Sequence, residues 1–371
     1  MNHYAYTDEQ QQFRDIVQRF LGAHASSTQV RRDMAREEGF DPQTWQRLCI
    51  DLGLPGVHVP EALGGQGFGF VELGIALEEM GRSLLCAPFF SHAVLATQAL
   101  RHVATQHEQS ELLPALVTGE RRATLAFLEH AGEFEPATLA TRVDEDGRLH
   151  GRKSYVVDGA SAGLLLVVAR DARDGLGLYL VEAASVGVQR RALETIDTTR
   201  RLAELTFDAA PARRLGGDAL PGLVRALDEA TIALASEMVG GARALLDSAV
   251  EYAKLRLQFG RPIGAFQAIK HKCAEMLLDV ELATAAARYA AAAVDANDPE
   301  VPLLASHAKA MASDAYMNAA IESLQIHGGI GFTWDHDTHL WFKRARSSQV
   351  FLGDADHHRE RWMTLKAAHH D

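Results

Sequence analysis

The sequence predicts an α+β protein with a helical N-terminal domain (residues 1–120), a small middle β domain (121–215) and a C-terminal four-helix bundle (216–371). Three observations predict this order. Apolar residues recur at helical spacing before about residue 120 and again after 216. Between these stretches lie short apolar or alternating runs that are separated by turn signals. The periodic segments after 216 are long, as expected for antiparallel helices that share one core.

The N-terminal region contains recognisable helix starts. Thr7 precedes an acidic first turn and is expected to cap a helix, and Asp41-Pro42 is expected to start another helix. The segment 60–67 is too rich in glycine for a helix. A long helix is expected after it, through Glu78, Glu79 and Met80. Segment 60–67 is either an ordinary turn or a loop beside a ligand.

The elements of the other two regions follow from periodicity. Strands are predicted at 149–157, 164–169, 177–181 and 203–207. Helices are predicted at 223–256, 266–294 and 302–325.

Composition excludes several classes of function. The formal net charge of -12 argues against a nucleic-acid partner, which would require a basic face. Cys49, Cys86 and Cys273 form no CxxC pair, which indicates free thiols in a reducing compartment. No signal peptide or membrane-length apolar run is evident, so a cytoplasmic protein is expected. The histidines near the C-terminus lack the spacing of metal ligands, so they are expected at the surface, with no metal site. These are His357, His358, His369 and His370.

Five blocks of sequence carry a family resemblance. In chain order they lie at 59–67, 78–82, 151–159, 256–267 and 325–332. Together they resemble the acyl-CoA dehydrogenase superfamily, and in particular bacterial members that form α2β2 hetero-oligomers acting on steroid side-chain acyl-CoA thioesters. The resemblance implies FAD as cofactor and the αβ-desaturation of an acyl-CoA substrate, with hydride transfer to flavin N5.

The resemblance also implies which residues bind FAD. Arg256 resembles the residue that pairs with the pyrophosphate of a neighbouring subunit's FAD, and Gln267 and Gln325 resemble the amides that hold its ADP part. Gly328 and Gly329 allow the backbone to approach that ligand closely. The remaining cofactor-binding candidates belong to the same family blocks or to the β domain. They are Gln258, Phe259, Glu129, Tyr155 and Val156.

The catalytic base of the family has no obvious counterpart. Leu352 occupies the place of the usual glutamate, and a leucine accepts no proton. Asp354, two residues later, is either a base or the N-cap of the last helix. The alternative base position on the first bundle helix is Ala230. Its neighbour Glu229 is either a base or a residue at the surface or in a subunit contact.

The flavin loop of the β domain is also altered. In the stretch 127–136 Glu129 is retained, but the small and hydroxyl residues that donate to flavin are absent. Glu133 and Glu135 are expected to repel phosphate. Tyr155 stands where the family has tryptophan and keeps an aromatic face.

Groups that serve the chain's own flavin are therefore degraded, whereas groups that reach a neighbour's flavin are intact. This pattern suits a subunit that completes the FAD site of a related partner, with electron-transfer flavoprotein as acceptor. The alternatives are a homo-oligomer (a tetramer) that uses Asp354 as base, a structural subunit without flavin, and a flavin monooxygenase.

Overall fold

The computed structural model describes residues 6–132, 134, 136–173 and 175–368. Helices, then a β-sheet, then helices follow one another along the chain, which confirms the predicted fold class. Its contacts divide the chain into two compact units. One holds the described residues up to Arg31, Phe70–Leu85 and those from Thr231 onward, and the other holds Arg32–Gly69 and Cys86–Ala230. The predicted three-domain boundaries remain a prediction.

The N-terminal region consists of helices. They are α1 (Asp8–His24), α2 (Ser27–Met34), α3 (Pro42–Ile50), α4 (Phe70–Ser83), a π-helix (Phe90–Ala96), α5 (Thr97–Val103) and α6 (Gln106–Val117). Of these, α1, α3 and α4 confirm the three that the sequence predicts. The Thr7 hydroxyl accepts a hydrogen bond from the Gln10 N–H at 3.2 Å, and the Asp41 carboxylate accepts one from the Thr44 N–H at 3.1 Å. The predicted N-cap at Thr7 is confirmed, and Asp41 caps the helix that was expected to start there.

The glycine-rich turn at 60–67 packs within its own unit. The Gln66 side chain donates to the Leu52 carbonyl at 2.8 Å. A Cβ at Gly65 would lie 2.0 Å from the Val59 carbonyl oxygen, so that position has room only for glycine. These contacts account for the turn without a ligand.

The middle region forms an eight-stranded sheet with the order β6-β7-β3-β2-β4-β5-β8, and β1 pairs with β4 in parallel. The strands are β1 (Ala123–Ala126), β2 (Arg142–Val143), β3 (Arg148–Val157), β4 (Leu164–Arg170), β5 (Leu176–Glu182), β6 (Val188–Ala192), β7 (Leu202–Pro211) and β8 (Arg213–Leu215). The four predicted strands are confirmed as β3, β4, β5 and β7. The short, fully buried β1 and the polar, exposed β6 lack alternation and escaped prediction.

The C-terminal region consists of long helices. They are α7 (Leu220–Leu255), α8 (Gln267–Asp295), α9 (Val301–His327), α10 (Thr338–Val350) and α11 (Ala355–Ala368). The three predicted long helices are α7, α8 and α9. Within this region α9 packs against α8, α10 and α11. None of the helices that the structure describes combines the length and the apolarity needed to cross a membrane.

Candidate functional site

A hairpin turn projects Phe259 away from the end of α7. Strands β9 (Leu257–Gln258) and β10 (Arg261–Pro262) pair antiparallel, and the turn residues Phe259 and Gly260 have φ angles of 53° and 78°. Two left-handed residues define a type I′ turn, which is costly for a residue with a Cβ. Phe259 is also 90% exposed. A strained and exposed aromatic side chain suggests a surface that meets another molecule.

Polar side chains beside this hairpin point outward and are free to bind. Arg256, Gln258 and Gln267 are exposed, as is Gln325 at the end of α9. In the part of the chain that the structure describes, none of these four side chains makes a hydrogen bond or ion pair. Helix α8 begins at Gln267 and has no side-chain cap among the described residues. The Ile269 and Lys270 N–H groups donate to the Phe266 carbonyl, so only those of Gln267 and Ala268 are candidate donors in its first turn.

The end of α9 exposes backbone at two glycines. Gly328 has φ 66° and ψ -147°, a conformation that essentially only glycine adopts. A Cβ built on Gly328 or Gly329 would meet nothing within 4 Å. The backbone of the predicted glycine pair is therefore open to a ligand or a partner.

The structure brings the hairpin that follows α7 and the glycine pair that follows α9 together in one site. Tyr252 lies one helical turn before Arg256, and its ring packs 4.5 Å from the ring of His327, which directly precedes Gly328. We name the outward-facing set Arg256, Gln258, Phe259, Gln267, Gln325, Gly328 and Gly329 the clamp. A guanidinium and several amides are suitable donors for a diphosphate. The clamp therefore fits the ADP part of FAD.

Exposed apolar side chains flank the clamp. Leu255, Leu257, Phe332 and Trp334 are each more than 60% exposed, and with Phe259 they form what we name the clamp rim. Cations lie over the Trp334 ring, with the Lys343 Nζ 4.6 Å from its centroid. Such enrichment in exposed aromatic side chains is typical of the centre of a protein–protein interface.

Glu129, the retained residue of the flavin loop, has an internal role. Its carboxylate accepts hydrogen bonds from the buried Lys153 ammonium at 2.8 Å and from the N–H groups of Ala140 and Thr141 at 2.7 and 2.9 Å. Burial raises the pKa of Glu129, but these donors, Lys153 foremost, outweigh it and lower the pKa to about 2. An anionic carboxylate that is satisfied in this way offers flavin no donor. Glu133 and Glu135, expected to repel phosphate, lie outside the described residues.

Tyr155 and Val156 occupy a β-bulge in β3. The register with β7 shifts between Lys153 and Val156, and Tyr155 has a φ of 55° with its ring 41% exposed. A bulge redirects a side chain out of the sheet, so the Tyr155 ring is presented as an aromatic face. The Val156 side chain lies in the core of the sheet. Its contribution to cofactor binding is therefore limited to its backbone.

Asp354 caps the last helix. Its carboxylate accepts the His357 N–H at 2.9 Å directly before α11, and this hydrogen bond lowers the pKa of Asp354. The cap interpretation accounts for the position of this exposed side chain. A general base for an α-proton is instead expected to have a pKa closer to the working pH.

Glu229 is buried, so the expectation of a surface or subunit-contact position is wrong. Its side chain is held by His102 Nε2 at 2.8 Å and Arg225 Nε at 2.7 Å. Burial raises the pKa of Glu229, but His102 and then Arg225 outweigh burial and lower it overall. The contacting histidine lies 127 residues away, so nothing in the local sequence indicates this pair.

The turn at Leu352 is held by two buried side chains that the sequence did not mark. Leu352 has a φ of 59°, and its carbonyl oxygen lies 2.8 Å from His358 Nε2. The Lys309 ammonium donates to the carbonyl of Gly353 at 2.8 Å and to that of Gln349 at 3.1 Å. These contacts hold the backbone of the left-handed turn in place, although the Leu352 side chain cannot act as a base.

His358 is buried, which corrects its expected surface position, and burial lowers its pKa to about 3. His369 and His370, expected at the surface, lie outside the described residues. The lysines at 153 and 309 were missed because a lysine in a sequence is expected at the surface. Only long-range contacts reveal that these two are internal.

The comparisons with known proteins identify the class of protein, a flavin-dependent oxidoreductase. Residues 7–120 match a family model described as the acyl-CoA dehydrogenase N-terminal domain, and residues 222–364 match the corresponding C-terminal domain. Acyl-CoA dehydrogenase IpdE2 of Mycobacterium tuberculosis is 34% identical over 93% of each chain.

Two solved structures share the whole fold. A variant of the Tcur3481-Tcur3483 steroid ACAD is 33% identical, with a TM-score of 0.87, over 97% of this chain and 98% of that one. The ChsE4-ChsE5 complex from Mycobacterium tuberculosis is 29% identical, with a TM-score of 0.89, over 98% of both. The chain belongs to the acyl-CoA dehydrogenase family, whose members are FAD-dependent oxidoreductases.

Proposed function

We propose that this chain is one subunit of an FAD-dependent acyl-CoA dehydrogenase and completes the FAD site of a related partner subunit in an α2β2 assembly. One observation carries the proposal: the donors of the clamp face outward beside an exposed apolar rim, and they have no hydrogen-bond or ion-pair partner in the described part of the chain. Glu129, the acidic residue retained in the chain's own flavin loop, is by contrast engaged by Lys153. The chain is equipped to contact a neighbour's flavin rather than its own.

Each part of the clamp has a defined task. When bound, FAD accepts the β-hydride of the acyl thioester. Arg256 holds the diphosphate by a charge-assisted hydrogen bond, and Gln267 and Gln325 orient the adenosine side through their amides. Gly328 lets the backbone approach the ligand. The clamp rim packs against the partner and excludes water, which strengthens these polar contacts.

The partner is assigned the proton abstraction. Leu352 has no acidic group, Asp354 is engaged as a helix cap, and Glu229 is held by the His102 and Arg225 side chains. An engaged carboxylate with a lowered pKa is a poor proton acceptor at neutral pH. The base is therefore expected on the subunit that holds the flavin ring.

The substrate class follows from the relatives. A steroid acyl-CoA dehydrogenase and a two-protein complex are among the solved structures that share this fold at 29–33% identity. We infer a bulky steroid side-chain acyl-CoA thioester as substrate. The family resemblance implies electron-transfer flavoprotein as electron acceptor.

The test is purification of the chain alone and together with a related dehydrogenase-like chain. We expect a tetramer with two FAD per four subunits when both are present, and little flavin on the chain alone. Arg256→Gln is expected to lower FAD retention of the assembly. Arg243→Gln is the matched control, since Arg243 is paired with Glu281 on α8, away from the clamp. The proposal fails if the chain alone carries one FAD per subunit and reduces it on addition of an acyl-CoA.

A further inference from the structure

Three aromatic rings, packed in a tilted stack with interplanar angles of 33° and 49°, join the two halves of the clamp. Tyr252 lies near the end of α7, His327 ends α9, and His336 lies between α9 and α10. The ring centroids of Tyr252 and His327 are 4.5 Å apart, and those of His327 and His336 are 4.4 Å apart. None of the three belongs to the predicted cofactor-binding set.

Hydrogen bonds fix the orientation of His327. Its Nδ1 lies 2.7 Å from the Ser323 carbonyl oxygen, which can only accept, so Nδ1 carries the proton. The Nε2 atom is then the acceptor for the Ser248 hydroxyl at 3.4 Å. Burial lowers the pKa of His327, and this favours the neutral ring. His327 is thus locked between α7 and its own helix.

His336 is fixed from the other side. Its Nδ1 accepts the Thr338 hydroxyl at 2.7 Å and the Thr338 N–H at 3.3 Å. The His336 carbonyl oxygen accepts a hydrogen bond from Arg31 on α2 at 3.2 Å. The outer ring of the stack is therefore anchored to the start of α10 and to α2, within the same compact unit.

The stack is coupled to the clamp through the backbone on both sides. The Arg256 N–H donates to the Tyr252 carbonyl at 2.8 Å, so Arg256 follows any movement of Tyr252. His327 is followed directly by Gly328, and a Cβ at Gly331 would lie 3.1 Å from the His327 Cβ. A tilt within the stack therefore changes the separation between Arg256 and the glycine pair.

We propose that Tyr252, His327 and His336 are positioning residues that hold Arg256 and Gln325–Gly329 in register as a single FAD-binding surface. This inference rests on the proposed function of the clamp. The rings act on FAD only through the clamp residues. Preorganisation of this kind raises affinity because the geometry of the donors is set before the ligand arrives.

The experiment measures FAD affinity of the assembled complex by flavin fluorescence, together with its mass by light scattering and its melting temperature. Tyr252→Leu removes the ring and is expected to weaken FAD binding roughly three- to tenfold, the worth of one aromatic pair. Tyr252→Phe keeps the ring and is expected to restore an affinity within about twofold of wild type. Tyr289→Leu, on the exposed face of α8, is the control and is expected to leave it unchanged.

A second pair of variants covers the case in which Tyr252→Leu does not fold. His336→Leu is expected to weaken FAD binding, and His336→Phe, which keeps the ring but loses the Nδ1 contact with Thr338, is expected to restore it in part. Equal affinities of the Leu variants and wild type overturn the inference, as does a Tyr252→Phe complex as weak as Tyr252→Leu. A wild-type assembly that binds no FAD instead contradicts the proposed function and is distinguishable from both outcomes.

Discussion

The buried pair Glu129–Lys153 leads to a prediction that separates a structural role from a cofactor-binding one. The Lys153 side chain is fully buried, and its ammonium lies 2.8 Å from Glu129 Oε1. Glu129→Gln keeps the shape of the side chain and removes its charge. The ammonium of Lys153 then remains buried without a counter-ion.

The magnitude follows from the cost of an uncompensated buried charge. Breaking such a pair by neutralising one partner costs about 3–5 kcal/mol of unfolding free energy. At roughly 2 °C per kcal/mol for a chain of this size, the melting temperature is expected to fall by about 6–10 °C. The pKa of Glu129 is lowered to about 2, so the pair stabilises the fold above the ordinary glutamate pKa. This contribution is lost as the pH falls from about 4.3 towards 2.

The assay is thermal unfolding followed by circular dichroism on four proteins: wild type, Glu129→Gln, Lys153→Met and the double variant. Removing both charges leaves no unpaired ion, so the double variant is expected to be more stable than Glu129→Gln. Glu204→Gln is the control. Glu204 pairs with the exposed Arg191 across the sheet, and its loss is expected to cost less than about 1 kcal/mol.

One result refutes this reasoning. Suppose that Glu129→Gln has the same melting temperature as wild type but the assembled complex binds FAD more weakly. The carboxylate is then a cofactor ligand, and Lys153 has another counter-ion. A double variant no more stable than Glu129→Gln would likewise show that an unpaired ammonium is not the source of the loss.

Three further predictions concern the base candidate, the turn at Leu352 and the hairpin. Asp354→Asn keeps an N-cap and removes the acid, so flavin reduction in the assembled enzyme is expected to be unchanged in rapid-mixing kinetics; a loss above tenfold would identify a base. Burial lowers the pKa of Lys309 to about 7, so the folded chain holds fewer protons than the unfolded chain above pH 7. Urea unfolding at pH 7 and pH 9 is therefore expected to show a rise in stability of about 2 kcal/mol that Lys309→Met abolishes. Phe259→Asn suits the type I′ turn and is expected to preserve the stability of the isolated chain. It is also expected to weaken assembly roughly 30-fold in sedimentation experiments, as for an aromatic residue at the centre of an interface, and an unchanged affinity would exclude that role.

The features predicted correctly from sequence are local ones. Thr7 and Asp41 cap their helices because a cap and its N–H lie three residues apart. Long helices such as α8 and α9 are predicted correctly because their apolar residues recur at helical spacing over many turns. The strand β6 has a polar centre and no alternation of buried residues, so only its pairing with β7 identifies it as a strand.

Burial and pairing were not predictable in the same way. From the sequence, Glu229 is expected to be an acid on a helix surface. Only the structure shows that His102, 127 residues away, lies beside it. Glu129 is expected from the sequence to be a retained flavin contact, but the structure shows that the buried Lys153 is bonded to it. A single sequence shows which residues share a segment, but it does not show which segments meet.

The turn at Leu352 and the clamp differ in whether their contacts are internal or face outward, and this difference explains the loss of the catalytic base. Lys309 and His358 still hold the turn at Leu352 in a left-handed conformation, so the missing base reflects one side chain and not a disordered segment. At the clamp, by contrast, Arg256 and Gln325 are exposed, and neither side chain has a hydrogen-bond or ion-pair partner among the residues that the structure describes. In a protein that no longer contacts flavin, an exposed cation and an open glycine backbone beside an apolar rim are not expected. The combination of an ordered turn that lacks its acid and an intact outward clamp therefore favours a division of catalytic work between subunits over a flavin-free structural protein.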